Sequence, residues 1–138
     1  MRLFGLLISA VLFAAPMAHA QEDSVFRDYG DYASFVDNMV KTRDFATLIL
    51  RLGGRDEYTS EDLAQNDAKL KQVWPFDFKN GTVFRQEDLG GGISQEGRLY
   101  WTGKQYAYYY ALLHDRGDAL VVLSFHLNTN SKKVLERF

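Results

Sequence analysis

The sequence predicts an α+β domain, with N-terminal helices packed on a curved antiparallel sheet of four to six strands. Three observations predict it. Before Trp74-Pro75, apolar residues recur at three- and four-residue steps, the period of a one-sided helix. After it, short runs alternate apolar and polar, the period of a half-buried strand. Turn-forming stretches then divide that second half at regular intervals. Helices first and strands after is the order of an α+β domain, with the helices on one sheet face.

The elements follow in order. Val25, Phe26, Tyr29, Tyr32, Phe35, Val36, Met39 and Val40 form one apolar stripe, with Ser24 or Asp28 as a cap. Thr42-Arg43-Asp44 breaks it. Phe45, Leu48, Ile49 and Leu52 resume it, and Gly53-Gly54 stops it. This predicts two helices, or one bent helix, over 24–52. Thr59-Ser60 with Glu61 and Asp62 opens a third helix, which ends at Pro75 because the residue before proline avoids helical angles. Phe76-Asp77-Phe78 alternates as a strand, and Asn80-Gly81 reads as a tight turn. Gly90-Gly91-Gly92 connects the next two strands. Thr102-Gly103-Lys104-Gln105, His114–Asp118 and Asn128–Ser131 hold the remaining turns, the last leading into a final strand.

Residues 1–20 stand apart. Arg2 precedes the apolar run from Leu3 to Ala15, and Ala18-His19-Ala20 is a small-x-small cleavage pattern. The run falls short of the roughly 20 residues that cross a bilayer, so it reads as a secretory signal peptide cut before Gln21. Residues 21–138 then form a single domain, exported to a periplasm or secreted. With no cysteine in the chain, that domain relies on its core rather than on disulfides. Net charge is −2 over the full chain, and signs are interspersed. No basic stripe offers the counterion release that nucleic-acid binding needs. No segment of the domain is apolar enough to be a transmembrane span.

Four of the eight tyrosines crowd into "YAYYY", Tyr106 to Tyr110. Centring turns on Gly103-Lys104 and Arg116-Gly117 divides the strands into two faces. One collects Leu99, Trp101, Tyr106, Tyr108, Tyr110, Leu112, Val121, Leu123, Phe125 and Leu127. The other collects Glu96, Arg98, Tyr100, Ala107, Tyr109, Ala111, Leu120, Val122, Ser124 and His126. The first set is the more apolar and is expected to face the helices. Trp101, Tyr106, Tyr108 and Tyr110 then line a ligand-binding pocket, with Glu136 of the final strand turned inward beside them. The second set is expected outside, where Tyr109, Leu113, Leu120 and Val122 offer a homodimer interface.

Chemistry-bearing motifs are sparse. There is no cysteine nucleophile and no G-x-S-x-G, H-E-x-x-H or phosphate-loop pattern. Ser124 and His126 stand two apart on a strand, too far for direct proton transfer. The acids at Asp56-Glu57 and Glu61-Asp62 lack a calcium-loop spacing. No catalytic residue, cofactor or metal ligand is assigned. Two readings of the Tyr-rich face remain beside simple binding: a proton-transfer pair of Glu136 with Tyr108 or Tyr110, and a structural dimer of the cell envelope.

The order of elements resembles the nuclear transport factor two-like superfamily. The segments carrying the resemblance are "FVDNMVKTRDFATLILRL" (35–52), "LKQVWP" (70–75) and "LSFHLNTNSKKVLERF" (123–138). It implies a cone-like fold in which the helices close a curved sheet around a pocket. Some members are isomerases or dehydratases with acids or histidines inside the cone, and many secreted ones resemble non-catalytic accessory modules. The expectation is therefore an exported, non-enzymatic binding module for a small apolar or amphipathic ligand or a protein partner.

Overall fold

A computed structural model describes residues 22–138. The predicted signal segment and its cleavage site lie outside the described residues. The rest is an α+β fold with helices packed on one five-stranded antiparallel sheet. Its strands are β1 (Val25–Phe26), β2 (Asn80–Gly90), β3 (Ile93–Thr102), β4 (Gln105–Asp115) and β5 (Leu120–Asn128), in the order β1-β5-β4-β3-β2. The helices are α1 (Tyr29–Lys41), α2 (Phe45–Ile49), α3 (Ser60–Val73) and α4 (Ser131–Leu135). None of them is long and apolar enough to cross a membrane.

Each helix begins where its cap places it. The Asp28 carboxylate accepts from the Asp31 amide at 2.8 Å and starts α1. Asp44 accepts from the Thr47 amide and starts α2. Thr59 and Asp62 exchange side-chain and backbone bonds in a capping box at the head of α3. A wide π-type turn, Leu50–Gly54, follows α2 and ends with Gly53 at φ 114°. The predicted break at 42–44 and stop at 53–54 are therefore both present. The 24–28 stretch is not helical, however: Val25 and Phe26 form β1 on the edge of β5.

The core lies between α1–α2 and the sheet. Tyr32, Val36, Val40, Phe45 and Leu48 come down onto Tyr100, Ala107, Tyr109, Ala111, Leu113, Leu120 and Val122. Each fully buried aliphatic side chain contributes about 1.5–3 kcal/mol. Trp74 closes one end. Its ring packs on Phe45 and Phe78, and its indole N–H donates to the Tyr106 carbonyl at 2.8 Å.

The three hairpins settle the faces. Trp101 pairs with Tyr106 and Leu99 with Tyr108, as the turn at Gly103-Lys104 requires. The triple glycine turns β2 into β3. All three residues have positive φ, and Gly92 packs so tightly on the Asp115 backbone that a Cβ would not fit. The β4–β5 turn is wider than expected, with the Arg116 amide donating to the Ala119 carbonyl. A bulge then leaves Leu123 without an opposite residue, so that Leu112 pairs with Ser124 and Tyr110 with His126.

Three expectations are corrected. The residues 76–78 are irregular, and Asn80-Gly81 opens β2 rather than forming a turn. The chain ends in α4, not a strand, because Asn130 caps a helix by accepting from the Lys132 amide. The faces themselves are inverted. Glu96, Arg98, Tyr100, Ala107, Tyr109 and Ala111 point to the helices. Leu99, Trp101, Tyr106, Tyr108 and Tyr110 point away, with their partners on β3 and β4 matched as predicted. Beyond the bulge the inversion is undone: Phe125 and Leu127 pack on the inner face as expected, with Ser124 and His126 alternating with them.

Candidate functional site

The inner face holds a polar cluster that neither charge nor periodicity foretold. Glu96 and Arg98 are 1% and 3% exposed. They are held because each finds several partners. Glu96 Oε1 accepts from the Tyr32 hydroxyl at 2.6 Å and from Arg98 Nε at 2.7 Å. Glu96 Oε2 accepts from the Tyr29 hydroxyl at 2.7 Å and from Arg98 Nη2 at 3.4 Å. Arg98 Nη1 reaches Asp37 Oδ1 at 3.0 Å, which also accepts from the Tyr100 hydroxyl at 2.6 Å. The Tyr32 and Tyr109 hydroxyls are 2.9 Å apart. Among the described residues no buried side-chain N or O lacks a partner.

The electrostatics follow from that geometry. Burial raises the Tyr32 pKa, helped by Tyr109 and Glu96. Burial also raises Tyr100 and Tyr109. Tyr29, at the rim, is pushed up to about 12 by burial and by its bond to Glu96. Burial works against the Arg98 charge, but the hydrogen bond and negative charge of Glu96, with Tyr100 and Tyr32 behind them, outweigh it, so its pKa is raised. Phenols that stay protonated, bonded to a carboxylate whose oxygens are already occupied, make a brace between α1 and the sheet. Both Glu96 oxygens are engaged in it, and Asp37 is bonded through Oδ1 at its half-exposed rim.

The predicted site residues divide. Trp101, Tyr106 and Tyr108 do stand together, but on the outer face rather than under the helices, with Tyr106 exposed and Trp101 and Tyr108 half-buried. Between α1 and the sheet the space is filled by the core and the brace, while a cleft of about 440 Å³ opens between α2, the π-type turn, α3 and β5, lined by none of the predicted pocket residues. Tyr110 belongs to the outer face too, yet it is buried. Phe138 meets its ring edge-on at 5.3 Å, and its hydroxyl accepts from Gln95 Nε2 at 3.0 Å. Glu136 is the C-cap of α4 and more than half exposed, with Lys132 at 3.8 Å as its ionic neighbour. It forms no inward pair with Tyr108 or Tyr110. The proposed interface residues Tyr109, Leu113, Leu120 and Val122 lie in the monomer's core, so they offer no surface to a second copy.

What remains open is an aromatic surface at the lower end of the sheet. A groove of about 760 Å³ runs there between the 73–79 segment and the β3–β4 turn. Val73, Phe76 and Tyr106 line it and are 52%, 67% and 43% exposed. The segment is fixed by a reciprocal pair of bonds: Gln105 accepts from the Phe76 amide and donates to the Phe76 carbonyl at 2.7 Å. Lys79 and Lys104 stand at the rim, with no ionic partner among the described residues. The sequence did single out three of the aromatic residues. It missed Phe76 because 76–78 read as a strand.

No family model, no curated protein and no solved structure matches the chain. The architecture of helices on a five-stranded antiparallel sheet is compatible in topology with a cone-like fold.

Proposed function

We propose that this chain is an exported, non-catalytic binding module of the nuclear transport factor two-like kind, which takes a small apolar or amphipathic ligand on its outer aromatic surface. The observation that carries the reading is the groove lined by Val73, Phe76 and the exposed Tyr106, with Trp101 opposite Tyr106 on β3 and Tyr108 on the same sheet face. A groove of that volume is in the range used for small ligands. Amphipathic rings at its floor suit a ligand with one apolar and one wet end. A binding role also agrees with a polar cluster whose buried members, Glu96 and Arg98, are engaged with their neighbours.

The test is a fluorescence titration of the domain with decanol, with Trp101 as the reporter in a Trp74→Phe background. Saturable binding is expected, weakened about tenfold or more by Phe76→Ala and by Tyr106→Ala. Both positions are exposed, so the fold should survive the changes. Absence of saturable binding, or binding indifferent to both substitutions, would overturn the reading. A concentration-dependent dimer lost in Tyr106→Ala would instead assign the surface to a second copy.

A further inference from the structure

The two edges of the sheet are treated differently. β2 forms one edge and is guarded: its register is interrupted at Val83/Arg85 and again at Asp88/Gly90, and it carries Arg85, Glu87 and Asp88. Such irregularities and charges keep an edge from pairing with another chain. β5 forms the other edge. Its first residues are covered by β1, through Val25 opposite Val121 and Phe26 opposite Leu120, and the Val122 amide donates to the Ser24 carbonyl at 2.8 Å. Continued backwards, the chain would run on along β5.

It does not, because residue 24 turns it aside. Ser24 has φ 66°, its amide donates to the Arg51 carbonyl at 2.8 Å, and its hydroxyl donates to the Leu52 carbonyl at 3.1 Å. Arg51 holds the Glu22 carbonyl at 2.7 Å, and Arg55 pairs with Asp23. The N-terminal residues are thus pinned to the π-type turn. Ser124–Asn128, paired with β4 on one side, have no strand on the other among the described residues. This stretch reads Ser-Phe-His-Leu-Asn. It has no lysine, no proline and no further bulge.

Along the same edge lies a cleft of about 440 Å³, walled by α2, the π-type turn and α3. Ile49, Leu52, Tyr58, Leu70, Phe125 and Leu127 line it. We infer that this edge and cleft form a second binding site, for an extended peptide that pairs with Ser124–Asn128 and continues the strand β1 begins. Backbone groups of the peptide meet the open ladder of β5. Alternate side chains, about 6–7 Å apart, enter the cleft, so an apolar residue at every second position is preferred. The occupant is committed by continuity: β1 already adds to this edge in the same way, two residues from where the opening starts.

The probe is a blocked heptapeptide, Lys-Val-Thr-Val-Thr-Val-Lys, titrated into the ¹⁵N-labelled domain. The expected result is saturable shifts and slowed exchange of the 123–128 amides. A second peptide carries the same side chains with N-methyl groups on every other backbone nitrogen, so that it cannot complete a ladder. It should bind at least tenfold more weakly, and Tyr58→Ala should weaken the first peptide severalfold with the fold intact. Equal binding of the methylated peptide would overturn the inference, since the cleft would then read side chains alone. Silence of the 123–128 amides toward the first peptide would overturn it as well. Neither outcome touches the aromatic surface, whose groove lies at the turn ends of β3 and β4.

Discussion

The Tyr32 hydroxyl donates to Glu96 Oε1 at 2.6 Å across 64 positions of sequence. That bond joins the buried face of α1 to the middle of β3, and Arg98 completes it from two residues away at 2.7 Å. A buried ion pair is worth little against an apolar replacement, but losing one partner strands the other. Arg98→Met should therefore cost about 3–5 kcal/mol, since it leaves the Glu96 carboxylate without its cation. Adding Glu96→Gln keeps one acceptor oxygen, offers an NH2 that can donate to the other phenol oxygen, and removes the stranded charge. The double variant should recover part of the loss, with a coupling of about 0.5–3 kcal/mol in urea denaturation. Strict additivity would mean that the two side chains do not support one another.

This cluster explains where reading the sequence succeeded and where it failed. The helical stripe, its break at Thr42–Asp44, the capping box and the β3–β4 register all follow from local rules, and all are present. The partition of β3 and β4 into two sets also held. The choice of which set faces the helices did not. Glu96 and Arg98 sat in one set, and charge pointed that set outward. The fact that reversed it is non-local: Tyr29, Tyr32 and Asp37 on α1 bring the donors and acceptors that make burial tolerable. A phenol-rich helix facing a charged strand was the available signal. The bulge at Leu123 had no such signal. Nothing in Val-Val-Leu-Ser-Phe marks which residue will lack a partner, and the one-residue slip leaves Phe125 and Leu127 facing the helices as expected although the faces of β3 and β4 are reversed.

The same tyrosines set an upper limit on pH. Tyr29, Tyr32, Tyr100 and Tyr109 all have folded pKa values above the ordinary value of 10.0. Below that value both folded and unfolded chains hold these protons, and the stabilisation is complete. Above it the unfolded chain releases protons that the folded chain keeps, so stability falls as pH rises. For Tyr29 the loss is spread between 10.0 and about 12. Absorbance titration should show these four of the eight tyrosines forming phenolate late, together with loss of the fold. Eight independent titrations near the ordinary value, with the fold intact, would refute the buried network.

Toward acid, His126 is expected to loosen the packing of Phe138 on Tyr110. Its pKa is lowered from 6.5, first by burial and then by the charge of Arg137. Tyr110 packs 6.0 Å from its ring, and Phe138 covers Tyr110 in turn. With a depressed folded pKa, the stabilisation is present above 6.5 and fades as pH falls below it. Resonances of Tyr110 and Phe138 should therefore broaden or shift as pH drops from 6.5, while those of Val36 and Val40 in the core stay fixed. His126→Gln should abolish the effect. A His126 that titrates at or above 6.5 would remove its basis.

Gly97 supplies the sharpest steric test. It lies in β3 between Glu96 and Arg98, facing out, and a Cβ built there would come within 2.5 Å of the Phe84 ring. Phe84 is the extra residue of the irregular β2 register and covers the strand at that point. Gly97→Ala must push the ring away and should cost about 1–3 kcal/mol. Glycine within a strand is otherwise the poorer choice by about 0.5–1 kcal/mol relative to alanine. The sign should therefore reverse once the ring is gone: in a Phe84→Ala background, Gly97→Ala should stabilise. Thermal or urea unfolding of the four proteins completes the cycle. If Gly97→Ala is harmless with Phe84 present, the ring does not rest on β3, and the roof of the outer aromatic face is open there.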